Sequence, residues 1–163
     1  MARTEDSGAS GASQNAAAPR RIEPMEPLGL GIDIVEIERV RGLYERYPER
    51  FLERVYTPAE RGRALAMRDP TSFLAGRFAA KEAVLKVLGT GLSGGISWQD
   101  IHVIREPSGA PRVYLSGKAY DRAEAIGLGL VLVSISHGRD LAVAQAMGFR
   151  GIPGSLRYSP PRA

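Results

Sequence analysis

The apolar residues of this chain change their spacing once, and that change limits the fold more than any other feature. From Glu36 to Leu88 they recur every three or four positions, and beyond Gly94-Gly95 they recur every second position. The first spacing lines one stripe of a helix; the second lines one face of a strand. After one opening strand, the first half is therefore helical and the second half is built of strands around one short helix. Those strands come as neighbouring pairs joined by turns, not as strand–helix–strand units. That pattern predicts an antiparallel sheet and the α+β class.

Leu28–Val35 is a short, Gly-punctuated aliphatic run and reads as a buried strand. Glu36–Tyr47 takes helical spacing, with Ile37, Val40, Leu43 and Tyr44 on one stripe. Pro48 breaks it, and Phe51, Leu52 and Val55 suggest one more short helix. Thr57-Pro58-Ala59-Glu60 has the form of a capping box with proline at the first helical position, starting a helix that runs to about Met67. Asp69-Pro70 opens the longest helix, which ends at Leu88 with Gly89 as its stop. Ile101 and Val103, with Trp98 nearby, belong to a strand that turns at Pro107-Ser108-Gly109 into Arg112–Leu115. Gly117–Ile126 is a short helix, and Leu130–Ser136 with Leu141–Met147 forms a second hairpin through His137-Gly138-Arg139-Asp140. The expected order is β-α-α-α-β-β-α-β-β, an antiparallel sheet packed on helices.

Residues 1–27 are small, polar and Pro-containing, without apolar period, and read as a disordered N-terminal tail. They lack the apolar core of a secretory signal and carry acids that a transit peptide avoids. Residues 149–163, with three Pro and two Gly, read as a loose C-terminal tail, leaving 28–148 as the working domain. The net charge of +4 divides unevenly: −1 in residues 1–27, +3 in residues 149–163 and only +2 between them. So small an excess argues against a nucleic-acid partner. No apolar run is long enough for a membrane span. Without cysteine there is no thiol nucleophile and no Cys-zinc site, and two histidines argue against a multi-His site. Any metal would take oxygen ligands, which favours Mg²⁺ or Mn²⁺. The common glycine-rich nucleotide loops are missing.

Asp33, set in Gly31-Ile32-Asp33-Ile34, either caps the next helix or holds a charged ligand, since an acid among aliphatic residues is costly to bury alone. Glu36, at a helix start, reads as a solvated first-turn acid. In the long helix, Phe78, Glu82 and Lys86 stand four apart on one edge, with Arg77 and Lys81 in the next row. One acid among three cations suits a divalent ion with a polyanionic phosphate; an ordinary exposed ion pair is the plainer reading. The glycine-rich Gly89–Gly95 segment either admits a ligand to the backbone or merely connects. His137 at a hairpin tip reads as a ligand contact or as a surface histidine, and Ser134 and Ser136 as ligand donors or solvent-facing residues. His102 carries no assigned role. Arg39, Arg41, Arg46, Arg50 and Arg54 alternate with glutamates and give either a solvated face or one that meets an acidic partner.

Gly31–Arg39, Phe73–Ala83 and Val133–His137, in this order and spacing, resemble the corresponding motifs of bacterial holo-acyl carrier protein synthases, a 4'-phosphopantetheinyl transferase family, over about Leu28 to Met147. The resemblance implies a cytoplasmic enzyme that moves 4'-phosphopantetheine from coenzyme A to a serine of apo acyl carrier protein and releases adenosine 3',5'-bisphosphate. It implies Asp33 and Glu82 as Mg²⁺ ligands, and Lys86 on the pyrophosphate with Lys81 beside it. It also implies a nucleotide end held by Arg77, Phe78, His137, Pro111 and the Ser134–Ser136 backbone. Arg39, Arg50, Phe51 and Arg54 would dock the acidic helix of the carrier, and the family is a homotrimer with sites at subunit boundaries. The proton acceptor for the serine hydroxyl is left open between Glu82 and a metal-bound hydroxide. A non-catalytic coenzyme A or nucleotide binder is the alternative reading.

Overall fold

The computed structural model describes residues 25–160, so residues 1–24 of the expected N-terminal tail lie outside the described residues. The chain opens with strand β1 (Pro27–Glu36), followed by helices α1 (Ile37–Arg46), α2 (Pro48–Val55), α3 (Pro58–Leu65) and α4 (Thr71–Leu88). Strands β2 (Ile101–Arg105) and β3 (Pro111–Leu115), helix α5 (Gly117–Ile126), and strands β4 (Leu128–His137) and β5 (Leu141–Arg150) complete it. The class is α+β with antiparallel pairing, as the spacing predicts. Two details differ. Four helices precede β2 where the expected order counts three: the short helix suggested by Phe51, Leu52 and Val55 is an element of its own, with Pro48 at its first position and those three side chains buried. The strands form a three-stranded sheet, ordered β1-β5-β4, and a separate β2-β3 ribbon.

Local signals are realised where the chemistry demanded them. Thr57 accepts from Glu60 N while Glu60 accepts from Thr57 N at 2.9 Å, closing the capping box of α3. Asp69 accepts from both Thr71 N, 2.9 Å, and Thr71 Oγ1, 2.6 Å, so the free amides at the start of α4 are partly satisfied. Gly89 ends α4 at φ +72°, a left-handed conformation that glycine adopts without strain.

Helix α4 crosses the inner face of the sheet, and small residues set how closely it does so. Ala75, Ala79, Ala80 and Ala83 of α4 are fully buried, as are Ala142, Ala144 and Ala146 of β5. A Cβ on Gly31 would lie 2.0 Å from the Ala83 carbonyl oxygen, so only glycine permits this approach of strand to helix. Leu74, Val84, Leu85 and Leu88 of α4 complete the core with Ile101, Val103, Val113, Leu115 and Leu128. Each such side chain contributes about 1.5–3 kcal/mol by leaving water.

The sheet runs to Arg150, and the segment after it is not the loose tail that its prolines and glycines suggest. Leu156 is buried, Ser155 donates to the Gly129 carbonyl, and the Tyr158 amide donates to Leu115 O at 2.8 Å. The Tyr158 ring stacks on His102 with centroids 3.7 Å apart and planes 8° apart. An aromatic ring and one leucine supply the contacts that composition alone did not reveal.

Candidate functional site

Strand parity puts Gly29, Gly31, Asp33 and Val35 on the side of β1 that faces α4, and Leu30, Ile32 and Ile34 on the other. Gly31 meets α4 at Ala83 and Lys86, and Asp33 stands two residues further along that row. Asp33 does not cap α1, whose N-terminal cap has no side-chain hydrogen bond. Its Oδ1 instead accepts from Lys86 Nζ at 2.9 Å, and the same ammonium donates to the Ile32 carbonyl. Glu82 lies one turn before Lys86 on the same edge of α4. Its Oε1 accepts from the indole Nε1 of Trp98 at 2.6 Å. Asp33 and Lys86 thus meet where β1 packs on the C-terminal half of α4, and Glu82 stands one turn earlier on the same helix edge.

Two carboxylates and a lysine are a particular donor set. Among the described residues no three Asp, Glu, His or Cys side chains gather as a metal cage. Mg²⁺ needs no such cage, because it binds through one or two carboxylates and completes its shell with phosphate oxygens and water. Asp33 and Glu82 fit that requirement.

The expectation of one acid ringed by three cations is not met, because the three go separate ways. Lys86 stays with Asp33. Lys81 is fully buried, away from any surface phosphate: its Nζ is 2.7 Å from Glu60 Oε2, 2.8 Å from Val55 O and 2.9 Å from Trp98 O. Burial pulls its pKa below the usual lysine value while Glu60 pulls it up. As an interior cation it ties α3 and the Trp98 turn to α4, and it does not share the role implied for Lys86. Glu60 also accepts from Val103 N at 3.0 Å, so one buried carboxylate reaches β2 as well.

Arg77 opens on yet another side. Five residues before Glu82, it is turned roughly 140° around the helix. It lines a cleft of about 450 Å³ with Arg63, Arg105, Pro111, Ile135 and His137. Its guanidinium lies 4.9 Å from the Phe73 ring centre, and its buried Nε has no hydrogen-bond partner among the described residues. Burial holds its pKa below the usual arginine value, and the nearby charges of Arg63 and Arg105 act in the same direction against Glu60. A cleft with this much positive charge and an unmatched donor is suited to an anion.

The remaining expectations divide. His137 and Pro111 line the cleft together with Arg77. Phe78 does not: it packs against Trp98, ring centroids 5.8 Å apart, on the Glu82 side. The Ser134 and Ser136 side chains are exposed on the outer face of β4, so only their backbone could serve. β4 is an edge strand, which leaves one row of its backbone groups unpaired for such contacts. Arg39, Arg50 and Arg54 are exposed, but Phe51 is buried edge-on against Tyr56 at 5.4 Å and offers no surface to a partner. Sequence reasoning missed Arg63 and Arg105 in the cleft and Trp98 beside Glu82. No motif marks the two arginines, whereas the lone tryptophan of the chain was a signal available from composition.

Comparison with known proteins gives consistent matches. The family model described as the 4'-phosphopantetheinyl transferase superfamily matches residues 29–146. A holo-acyl-carrier-protein synthase of Nitratidesulfovibrio vulgaris (strain Hildenborough) is 50% identical over 117 residues, 72% of this chain and 94% of the relative. The crystal structure of a holo-acyl-carrier-protein synthase from Bacillus anthracis in complex with CoA (3',5'-ADP) is similar at TM-score 0.64 and 36% identity, covering 78% of this chain and all of that one (100%). That of the Helicobacter pylori synthase in complex with coenzyme A is similar at TM-score 0.65 and 33% identity, covering 73% and 98%.

Proposed function

The chain belongs to the 4'-phosphopantetheinyl transferase superfamily, and from that premise we infer its function and the layout of its site. It is a transferase that moves the 4'-phosphopantetheine group from coenzyme A to a serine of apo acyl carrier protein. The serine oxygen forms a bond to the pantetheine-side phosphorus as the bond from that phosphorus to the bridging oxygen breaks. Adenosine 3',5'-bisphosphate leaves, and the hydroxyl proton is released.

The observation that carries the layout is the Lys86–Asp33 contact of 2.9 Å, with Glu82 one helical turn before Lys86, on a surface separate from the arginine cleft. Asp33 and Glu82 hold Mg²⁺, which when bound offsets the charge of the pyrophosphate. Lys86, half exposed on a long stem, swings from Asp33 toward the leaving bisphosphate, whose charge grows as the bond breaks. Arg77 and His137, with Pro111 and the backbone of Ser134–Ser136, hold the nucleotide end, where the unmatched Arg77 Nε finds an acceptor. Lys81 acts from inside, by fixing the elements around the site. Residues 28–148 hold the groups that act on the substrates, with the strap after Arg150 supporting them, and the place of action is the cytoplasm, where coenzyme A and the carrier protein meet.

The reading includes a homotrimer with sites at subunit boundaries. Two observations support it. Arg77 and Glu82 face different sides of α4, so one ligand reaches both kinds of group most simply from two chains. The outer face of the sheet is also apolar in a band: Leu30, Ile32, Ile34 and Leu132 are each more than half exposed. Along α1, Arg39, Leu43, Glu45, Arg46 and Tyr47 line a shallow groove, and Arg50 and Arg54 are exposed on α2 among Glu49 and Glu53; the arginines of this mixed-charge surface are the groups that would meet the acidic helix of a carrier protein.

The test is mass spectrometry of apo carrier protein incubated with the purified chain, coenzyme A and Mg²⁺. A mass gain of one phosphopantetheine is expected. Asp33→Ala should lower the loading rate roughly a hundredfold or more while keeping the wild-type circular dichroism. A folded wild-type protein that loads no carrier from its own cell overturns the function, and a wild-type rate from Asp33→Ala overturns the metal assignment.

A further inference from the structure

Trp98 is held at three points. Its carbonyl accepts from the buried Lys81 ammonium, 2.9 Å, which is itself fixed by Glu60 at 2.7 Å. Its ring lies against Phe78, 5.8 Å between centroids, and under the Arg54 guanidinium at 5.9 Å. A side chain restrained in this way has little rotational freedom left, and its one polar hydrogen is directed at Glu82 Oε1, 2.6 Å away. Among the described residues the indole is the hydrogen-bond partner of that carboxylate. A glutamate on a half-exposed helix edge otherwise has three rotatable bonds and loses substantial entropy when it binds an ion.

We propose that Trp98 is a positioning residue for Glu82: its indole N–H fixes one carboxylate oxygen so that the other is presented to a divalent cation. The inference rests on the metal role given to Glu82 above and adds the group that orients it. Partners that orient a ligand in this way are worth about 10- to 100-fold in metal affinity. The interior pair Glu60–Lys81 thereby reaches the site through the Trp98 backbone, which gives Lys81 a purpose although it touches no substrate. Arg54 on the ring links the same tryptophan to α2, the helix proposed to meet the carrier.

Because Trp98 is the only tryptophan in the chain, its emission reports on this one place. The experiment titrates Mg²⁺ into the full-length protein with coenzyme A present and follows that emission. A saturable change in the wild type, lost in Glu82→Gln, is expected. In parallel, the Mg²⁺ dependence of carrier loading is compared between wild type and Trp98→Phe, which keeps a ring on Phe78 and removes the donor. Half-saturation should rise about tenfold, with the rate at saturating Mg²⁺ within a few-fold of wild type. An unchanged half-saturation in folded Trp98→Phe overturns the proposal. So does wild-type emission that ignores millimolar Mg²⁺, a readout that stands even if the variant fails to fold. Carrier loading by the wild type decides the function separately, so an active enzyme with an indifferent tryptophan leaves the transferase reading intact and removes only this inference.

Discussion

His102 is an interior imidazole whose charge the fold disfavours. Its Nε2 lies 2.9 Å from Ser116 Oγ, and Tyr158 covers one face of the ring. Burial holds its pKa below 6.5, with the Lys81 charge adding to that effect and Glu60 and Asp100 opposing it. The unfolded chain therefore takes up the proton first. The stability that follows from a neutral His102 is complete above 6.5 and is lost as the pH falls through the depressed value. Melting curves from about pH 7.5 to about pH 5 should show a falling midpoint, and His102→Gln should remove part of that fall. Alternation sets His102 on the opposite side of its strand from Ile101 and Val103 and gives it no role. It is buried because Tyr158, 56 positions later, closes over it. Lys81 was misjudged for the same reason, and Glu60, correctly read as a capping acid, has a second role as its partner. Each carries a local signal, a helix-face cation and a capping acid, that is correct as far as it goes. Their pairing joins separate elements, and no periodicity in one segment encodes it.

At the scale of elements, α4 concentrates what the fold needs. It packs on β1, β5 and β4, and it carries Arg77, Lys81, Glu82 and Lys86 on different sides. Lys81 is the member that the fold itself depends on. Lys81→Met leaves Glu60 charged, buried and without its cation, and should cost about 3–5 kcal/mol in urea unfolding. Adding Glu60→Gln should regain part of that loss, since no lone charge then remains inside. The boundaries of α3 and α4 were legible from Thr57, Asp69 and Gly89 because caps act within a few residues. The separation of the β2-β3 ribbon from the main sheet was not, since the same alternation serves a strand in either. In the candidate site, Asp33, Glu82 and Lys86 were legible only through their motifs, and the structure adds the 2.9 Å contact that joins two of them.

For the molecule as a whole, the outer face of the three-stranded sheet matters most. Leu30, Met147 and Leu132 form one cross-strand row, and Ile34 and Val143 continue it toward the other end. An apolar band of this kind on a folded surface usually marks a contact between proteins. Leu132→Lys, remote in sequence from Asp33 and Glu82, should shift sedimentation from an assembly to a single chain and lower carrier loading at least tenfold. Full activity from a monodisperse monomer would contradict the shared-site arrangement.

The strap from Pro153 to Tyr158 bears on where the protein can be cut. The family match stops at residue 146, inside β5, whereas Leu156, Arg157 and Tyr158 lie against α5 and the β2-β3 ribbon. That ribbon supplies Arg105 and Pro111 to the cationic cleft. A fragment excised at the boundaries of sequence likeness would uncover His102 and Tyr120 and shorten the central strand of the sheet. It would leave the cleft-lining hairpin without its clasp.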